Sequence, residues 1–153
     1  MFDTDIRAEY MHESVIAGFF IFDTDGSVLI THPTDDASGM GVWSIPKGRV
    51  ESNESDLEAA YREVIEETAL DLKAINGDVK EIDKVKYRSY MGSMKVCQFY
   101  SFRAKEQIHG NYKIFCKSMY NGKPENDDNR WVSIEEASQL LAPYQKDILS
   151  KLI

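Results

Sequence analysis

Cysteine and histidine are scarce in this 153-residue chain, with 2 and 3 residues respectively. Cys97 and Cys116 form neither a disulfide framework nor a metal-ligand spacing, so a reducing cytoplasm is the simplest compartment. His12, His32 and His109 stand apart without a partner in sequence, and each reads as a surface or packing residue. Basic residues are also short: 18 Lys and Arg face 26 Asp and Glu, for a net charge of -8. That balance excludes non-specific nucleic-acid binding, which needs clustered cations. It also repels any anionic phosphate substrate unless a metal or local basic residues intervene. No apolar run approaches the roughly 18 residues of a membrane span, and no segment has the basic start and apolar centre of a signal peptide. Internal repeats, low-complexity tracts and long linkers are missing too. The expectation is one domain over residues 1–153, large enough to bury a core without staples.

The chain opens on a mixed segment, residues 1–13, that fits strand, short helix or frayed end equally. Ser14 to Phe22 (SVIAGFFIF) is a near-continuous apolar run and predicts a strand buried on both faces. Asp25-Gly26 turns it into a second strand, Val28 to His32. Pro33 to Gly41 is a loop, Trp43 to Pro46 a short strand, and Lys47-Gly48 a turn out of it. Further on, Asn76-Gly77 predicts a turn, Val79 to Met91 a strand, Gly92-Ser93 a two-residue hairpin, and Met94 to Ala104 its return. Residues 105–128 read as polar loop with a short strand at Tyr112 to Phe115. Arg130 to Val132 is a last strand. Ser133 with Glu136 opens a helix through Leu141, and Pro143 starts a second that ends near Leu152. The pattern alone gives α+β or α/β.

The stretch Trp43 to Leu70, WSIPKGRVESNESDLEAAYREVIEETAL, carries the chemistry. Its second half is a helix on local grounds: Ser55 and Glu58 form a capping box, and Leu57, Ala60, Tyr61, Val64 and Thr68 make one apolar face. Glu63 and Glu67 then stand one turn apart, flanked by Glu66, on the side away from that face. Carboxylates so close repel one another by a few tenths of a kcal/mol. A hard divalent cation turns that repulsion into a site, and Mg²⁺ or Mn²⁺ suits an all-oxygen set that leaves room for phosphates.

Gly48, five residues, Glu54, seven residues, then Arg62-Glu63-Val64-Ile65-Glu66-Glu67-Thr68-Ala69-Leu70 resembles the box of the Nudix hydrolases, which cleave nucleoside diphosphates linked to another moiety. Ala69 departs from it, standing where the family usually has Gly to ease a left-handed helix end. The resemblance implies an α/β fold, a Nudix-type α/β/α sandwich around a mixed β-sheet, and an enzyme acting on phosphoric anhydrides. It implies Glu63, Glu67 and Glu66 as metal ligands together with a backbone carbonyl at Lys47 or Gly48. It further implies Glu66 as ligand or proton acceptor, and Arg62 and Glu54 as the pair that orients these carboxylates. Lys47 and Arg49 are candidates to touch phosphate.

In that family the general base often comes from outside the box, and Glu125 is the candidate. Members that cleave dinucleoside polyphosphates carry a tyrosine at a set interval after the box. Tyr87, 17 residues beyond Leu70, meets it and is a candidate to stack on a base. The lead-in SIPKGRVE is similar to that of diadenosine and diphosphoinositol polyphosphate hydrolases. The expected substrate is therefore a small-molecule nucleotide, leaning to dinucleoside polyphosphates. ADP-ribose, NADH and nucleoside triphosphates stay open, as does a non-catalytic nucleotide sensor. No membrane partner is expected, and the oligomeric state, homodimer included, is left open.

Overall fold

A computed structural model describes residues 14–35 and 38–153. The opening segment with His12, and two residues of the loop after Pro33, lie outside the described residues.

β1 (Ser14–Phe22) is the axis of a six-stranded mixed sheet. β2 is Val28–Pro33, β3 Lys47–Arg49, β4 Gly77–Arg88, β5 Met94–Ala104 and β8 Asn126–Val132, and the order across the sheet is β4-β5-β1-β2-β8. β5 runs parallel to β1 along its whole length, from Ser14↔Lys95 to Phe22↔Arg103. The other edge of β1 is divided. Its end pairs with β2 at Phe22↔Val28, and its first half pairs with β3 from Ile16↔Arg49 to Gly18↔Lys47. β1 and β2 therefore diverge, and the segment from Trp43 to Arg49 is wedged between them.

The apolar run of β1 is continuous because both faces of the sheet are covered. On one side Ala17, Phe19 and Ile21 pack with Ala59, Ala60 and Val64 of α1 (Asp56–Thr68). On the other, Ile16, Phe20 and Phe22 pack with Ala137 of α2 (Ile134–Leu140) and with Ile148 and Leu149 of α3 (Pro143–Ser150). The result is the expected α/β/α sandwich around a mixed sheet.

Several local expectations are corrected. The strand expected at Trp43 to Pro46 lies instead at Lys47–Arg49. Trp43 and Ser44 make only single bridges, to Leu141 and Thr31, and Pro46 has no N–H for a ladder. Gly77 is not a turn residue but the first residue of β4. The ring of Phe102 lies over it, and a Cβ there would come 2.4 Å from Cζ. The turn falls earlier, in a 3₁₀ helix over Leu72–Ala74 capped by Asp71. β4 ends at Arg88, three residues short of the expected end. The β4–β5 hairpin closes through a longer loop, with Ser89 N–H donating to the Ser93 carbonyl at 2.8 Å and Gly92 at φ +89°.

Tyr112 to Phe115 forms no strand. Phe115 N–H donates to the Thr68 carbonyl at 3.1 Å, and Tyr112 and Ile114 pack against the α1 side of the core. A small hairpin follows instead, β6 (Met119–Tyr120) and β7 (Lys123–Pro124), turning on Asn121-Gly122 with both φ angles positive. β8 starts at Asn126 rather than Arg130 and takes Asn126 and Asp128 into the ladder with β2, with Asp127 at a bulge between them. It is an edge strand, where charged side chains reach water at little cost.

Candidate active site

α1 begins where Ser55 and Glu58 exchange side-chain and backbone hydrogen bonds, at 3.1 and 3.0 Å. That cap fixes the turn of helix presenting Arg62, and Arg62 is the hub of the site. Its guanidinium grips Glu54 with two hydrogen bonds, Nη2 to Oε1 at 2.7 Å and Nε to Oε2 at 3.1 Å. Nη1 donates to Glu63 Oε1 at 2.9 Å and also to Glu66 Oε2. Nη2 reaches the Arg49 carbonyl at 2.9 Å and so ties β3 to the helix. Glu54 holds the guanidinium's proton most strongly, with Glu63 and Glu66 adding to it. The same bond keeps the Glu54 carboxyl below the usual carboxylate range.

Glu63 lies over Gly48 of β3, where a Cβ would come 2.0 Å from its Cδ. The glycine is thus required by a carboxylate of the chain itself. Glu63 is hydrogen-bonded in turn to Glu67. Glu67 does not face away from the apolar stripe as expected: it is 6% exposed, closed in beneath β8. Asn126 Nδ2 donates to its Oε1 at 2.9 Å, and Asn129 Nδ2 to its backbone carbonyl at 3.4 Å. Burial pushes the Glu67 carboxyl well up; the Asn126 bond opposes this and the charge of Glu63 adds to it. Burial also raises Glu63, with the Glu66 charge second and Arg62 opposing. Asn126 carries no signal in the sequence: nothing in its spacing from α1 links the two.

Glu66 turns instead to Arg62, its i−4 neighbour, which neutralises it directly. Its side chain is 40% exposed, against 13% for Glu63. Among the described residues no three His, Cys, Asp or Glu side chains converge on one point. What does converge is the Glu63–Glu67 pair beside the backbone of Gly48. Two touching carboxylates, one of them buried, are an arrangement a divalent cation relieves, since it brings two positive charges between them. The donor set is all oxygen and fits a hard ion.

Two clefts meet at this point. One, of about 570 Å³, has Glu63, Gly48, Lys47 and Arg49 on one side and Tyr120 and Glu125 on the other. The second, of about 520 Å³, adjoins it through Lys47 and is lined by Trp43, Tyr87, Tyr90, Lys95 and Tyr144. Glu125 is exposed on the wall opposite Glu63. Tyr87 lines the second cleft, but Tyr144 already stacks on its ring at 3.7 Å, so one face at most is open to a ligand. His32 pairs with Asp127 at 2.7 Å, and His109 lies against Trp131, away from both clefts.

Residues 11–152 match the NUDIX domain model. The chain belongs to the Nudix hydrolase family. As a Nudix hydrolase it is an enzyme that acts on pyrophosphate bonds. It is 21% identical to an RNA pyrophosphohydrolase of Bartonella tribocorum over 99% of this chain and 94% of that one. With an RNA pyrophosphohydrolase of Bartonella quintana the identity is 24%, at the same coverage of both chains. The fold matches a C. elegans Ap4A hydrolase at TM-score 0.70 and 18% identity, over 91% of this chain and 94% of that one. It also matches the E. coli dihydroneopterin triphosphate pyrophosphohydrolase at TM-score 0.72 and 18% identity, with the same coverage.

Proposed function

We propose that this Nudix hydrolase cleaves a pyrophosphate link in a dinucleoside polyphosphate with the help of Mg²⁺ or Mn²⁺. The observation that carries the reading is the Glu63–Glu67 pair, Glu67 buried and Glu63 opening to a cleft with basic residues that adjoins an aromatic one. Glu63 and Glu67, with the carbonyl of Gly48, are the residues to hold the ion, and Glu66 would join them as a third ligand only by leaving Arg62. When bound, a divalent ion acidifies water and offsets charge on the leaving oxygen.

The remaining work falls to side chains. Glu66, the most exposed box carboxylate, accepts the proton of the attacking water, and Glu125 is the alternative base from the opposite wall. Arg62, itself gripped by Glu54, holds Glu63 and Glu66 in register. Lys47 and Arg49 draw the phosphates into a molecule otherwise charged against them. The open face of Tyr87 takes a base.

A second reading has support from the relatives, several of which are named RNA pyrophosphohydrolases. In that reading the substrate is the phosphorylated 5′ end of an RNA. The net charge of -8 limits contact to that end and argues against binding along the strand. ADP-ribose, NADH and free nucleoside triphosphates complete the set to be compared. A metal-independent nucleotide sensor fits less well, because all box carboxylates are kept.

The deciding experiment offers each compound with Mg²⁺ or Mn²⁺ in ¹⁸O-labelled water and separates the products. A dinucleoside polyphosphate turned over fastest, with Glu66→Gln and Glu67→Gln strongly impaired, is the expected result. Full turnover by both variants overturns the roles assigned to Glu66 and Glu67.

A further inference from the structure

Three cations stand together in this acidic molecule without an acid among the described residues to match them. Register places them on one face of the sheet. Lys95 of β5 lies opposite Ser14 of β1 and Tyr87 of β4, while Arg49 and Lys47 of β3 lie opposite Ile16 and Gly18 of β1. Directly opposed residues, and those two apart along a strand, point the same way. Ile16 of this face is in the core beneath α3, so the cations share the face that carries α2 and α3.

Among the described residues no carboxylate lies within ion-pair distance of Lys95, Lys47 or Arg49, although 26 acids are available to the chain. Arg49 makes only a 3.4 Å bond to the Ser14 hydroxyl. Lys47 and Glu67 feel each other's charge without forming an ion pair. Lys95 is half-buried, and burial together with the charges of Lys47 and Arg49 makes its proton easier to lose. Such a grouping opposes folding unless an anion occupies it. Lys47 lines both clefts, Arg49 only the one holding Glu63, and Lys95 only the aromatic one. The cations therefore run from the rim of the cleft that Glu63 borders, through Lys47, into the aromatic cleft toward Tyr87.

We propose that Lys95, acting with Lys47 and Arg49, is a chain-length-determining residue: it binds a phosphate beyond the scissile link and selects nucleotides with three or more linked phosphates. A diphosphate whose two phosphorus atoms lie in the cleft with Glu63 leaves Lys95 unmatched, whereas a longer chain reaches it. The inference rests on the pyrophosphatase reading of the Glu63 cleft. It names a requirement shared by dinucleoside polyphosphates and by 5′-triphosphate ends.

The test has two readouts. The first is thermal unfolding in the presence of a metal chelator, with and without inorganic tripolyphosphate. Wild type should gain stability with tripolyphosphate. Lys95→Gln should melt higher than wild type when no anion is added and lose most of the gain, and Lys95→Arg should keep it. The second is kcat/KM for dinucleoside di-, tri- and tetraphosphates. Lys95→Gln should lose about 10-fold or more on the longer compounds and less than about 2-fold on the diphosphate, as expected for removal of one charge-assisted contact. An unchanged tripolyphosphate effect together with an unchanged chain-length profile in Lys95→Gln overturns the proposal. If wild type hydrolyses none of the compounds while tripolyphosphate still stabilises it through Lys95, the proposed function fails and the anion site stands.

Discussion

Gly48 lies under the carboxylate of Glu63, with no room between them for a methyl group. The contact joins β3 to α1 at the Glu63 end of the carboxylate pair. Gly48→Ala has a flexible side-chain end to push against, so the fold should survive with a loss of about 1 kcal/mol or less. Glu63 would be displaced from its place beside Arg62 and Glu67. A shift of about 1 Å in a positioned group costs on the order of 100-fold. Turnover should therefore fall by about that factor while the melting temperature moves little, which steady-state kinetics and calorimetry on one preparation will show.

Glu67 and Glu54 should act on stability with opposite signs. The Glu67 carboxyl is raised by burial, so its contribution is full below its unfolded value and is lost as pH rises through the folded one. With a chelator present, Glu67→Gln should be more stable than wild type at about pH 8 and match it at about pH 4. The Glu54 carboxyl is lowered by Arg62, so its contribution is present above its unfolded value and lost as pH falls. Glu54→Gln should be the less stable protein at neutral pH and converge on wild type in acid. Urea midpoints across pH separate the two. Adding Mn²⁺ should stabilise wild type and not Glu67→Gln.

Ala69 ends α1 in the left-handed conformation, at φ +67° and ψ +7°, with its N–H bonded to the Ile65 carbonyl at 2.9 Å. A side chain in that conformation costs on the order of 1 kcal/mol relative to glycine. Ala69→Gly should therefore raise the melting temperature by about 2–4 °C in a domain of this size. A drop on substitution would show that the methyl group earns its place by packing.

The two thiols should differ sharply. Cys97 is fully buried between β1 and β4, and burial pushes its thiol up to about 12. Cys116 is half-buried on the loop before β6. A thiolate-directed reagent at neutral pH should modify one cysteine in the native protein and both after unfolding, with mass mapping to Cys116 first.

The helices and the long strands were legible because their signals are local. Ser55 with Glu58 and Ser133 with Glu136 announce helix starts, Pro143 opens α3, and the apolar run of β1 announces burial on both faces. What escaped was set by distant partners. Gly77 is extended because Phe102 covers it, and Tyr112 to Phe115 is held by the end of α1 rather than by a strand. Asn121-Gly122 did carry a hairpin signal, hidden in a polar stretch read as loop. At the site, the grouping of Glu54, Arg62, Glu63 and Glu66 follows from one helix and its cap. The burial of Glu67 does not, because Asn126 arrives from the far edge of the sheet.

The divided edge of β1 separates the carboxylate pair from the aromatic cleft. The carboxylates and Gly48 are fixed by a helix and by pairing to the central strand, while the aromatic cleft is walled by the loop after β2, the β4–β5 hairpin and the start of α3. Substitutions in those walls touch neither the pairing of β3 to β1 nor the bonds of Arg62, so the aromatic cleft can be reshaped while the carboxylates stay where they are.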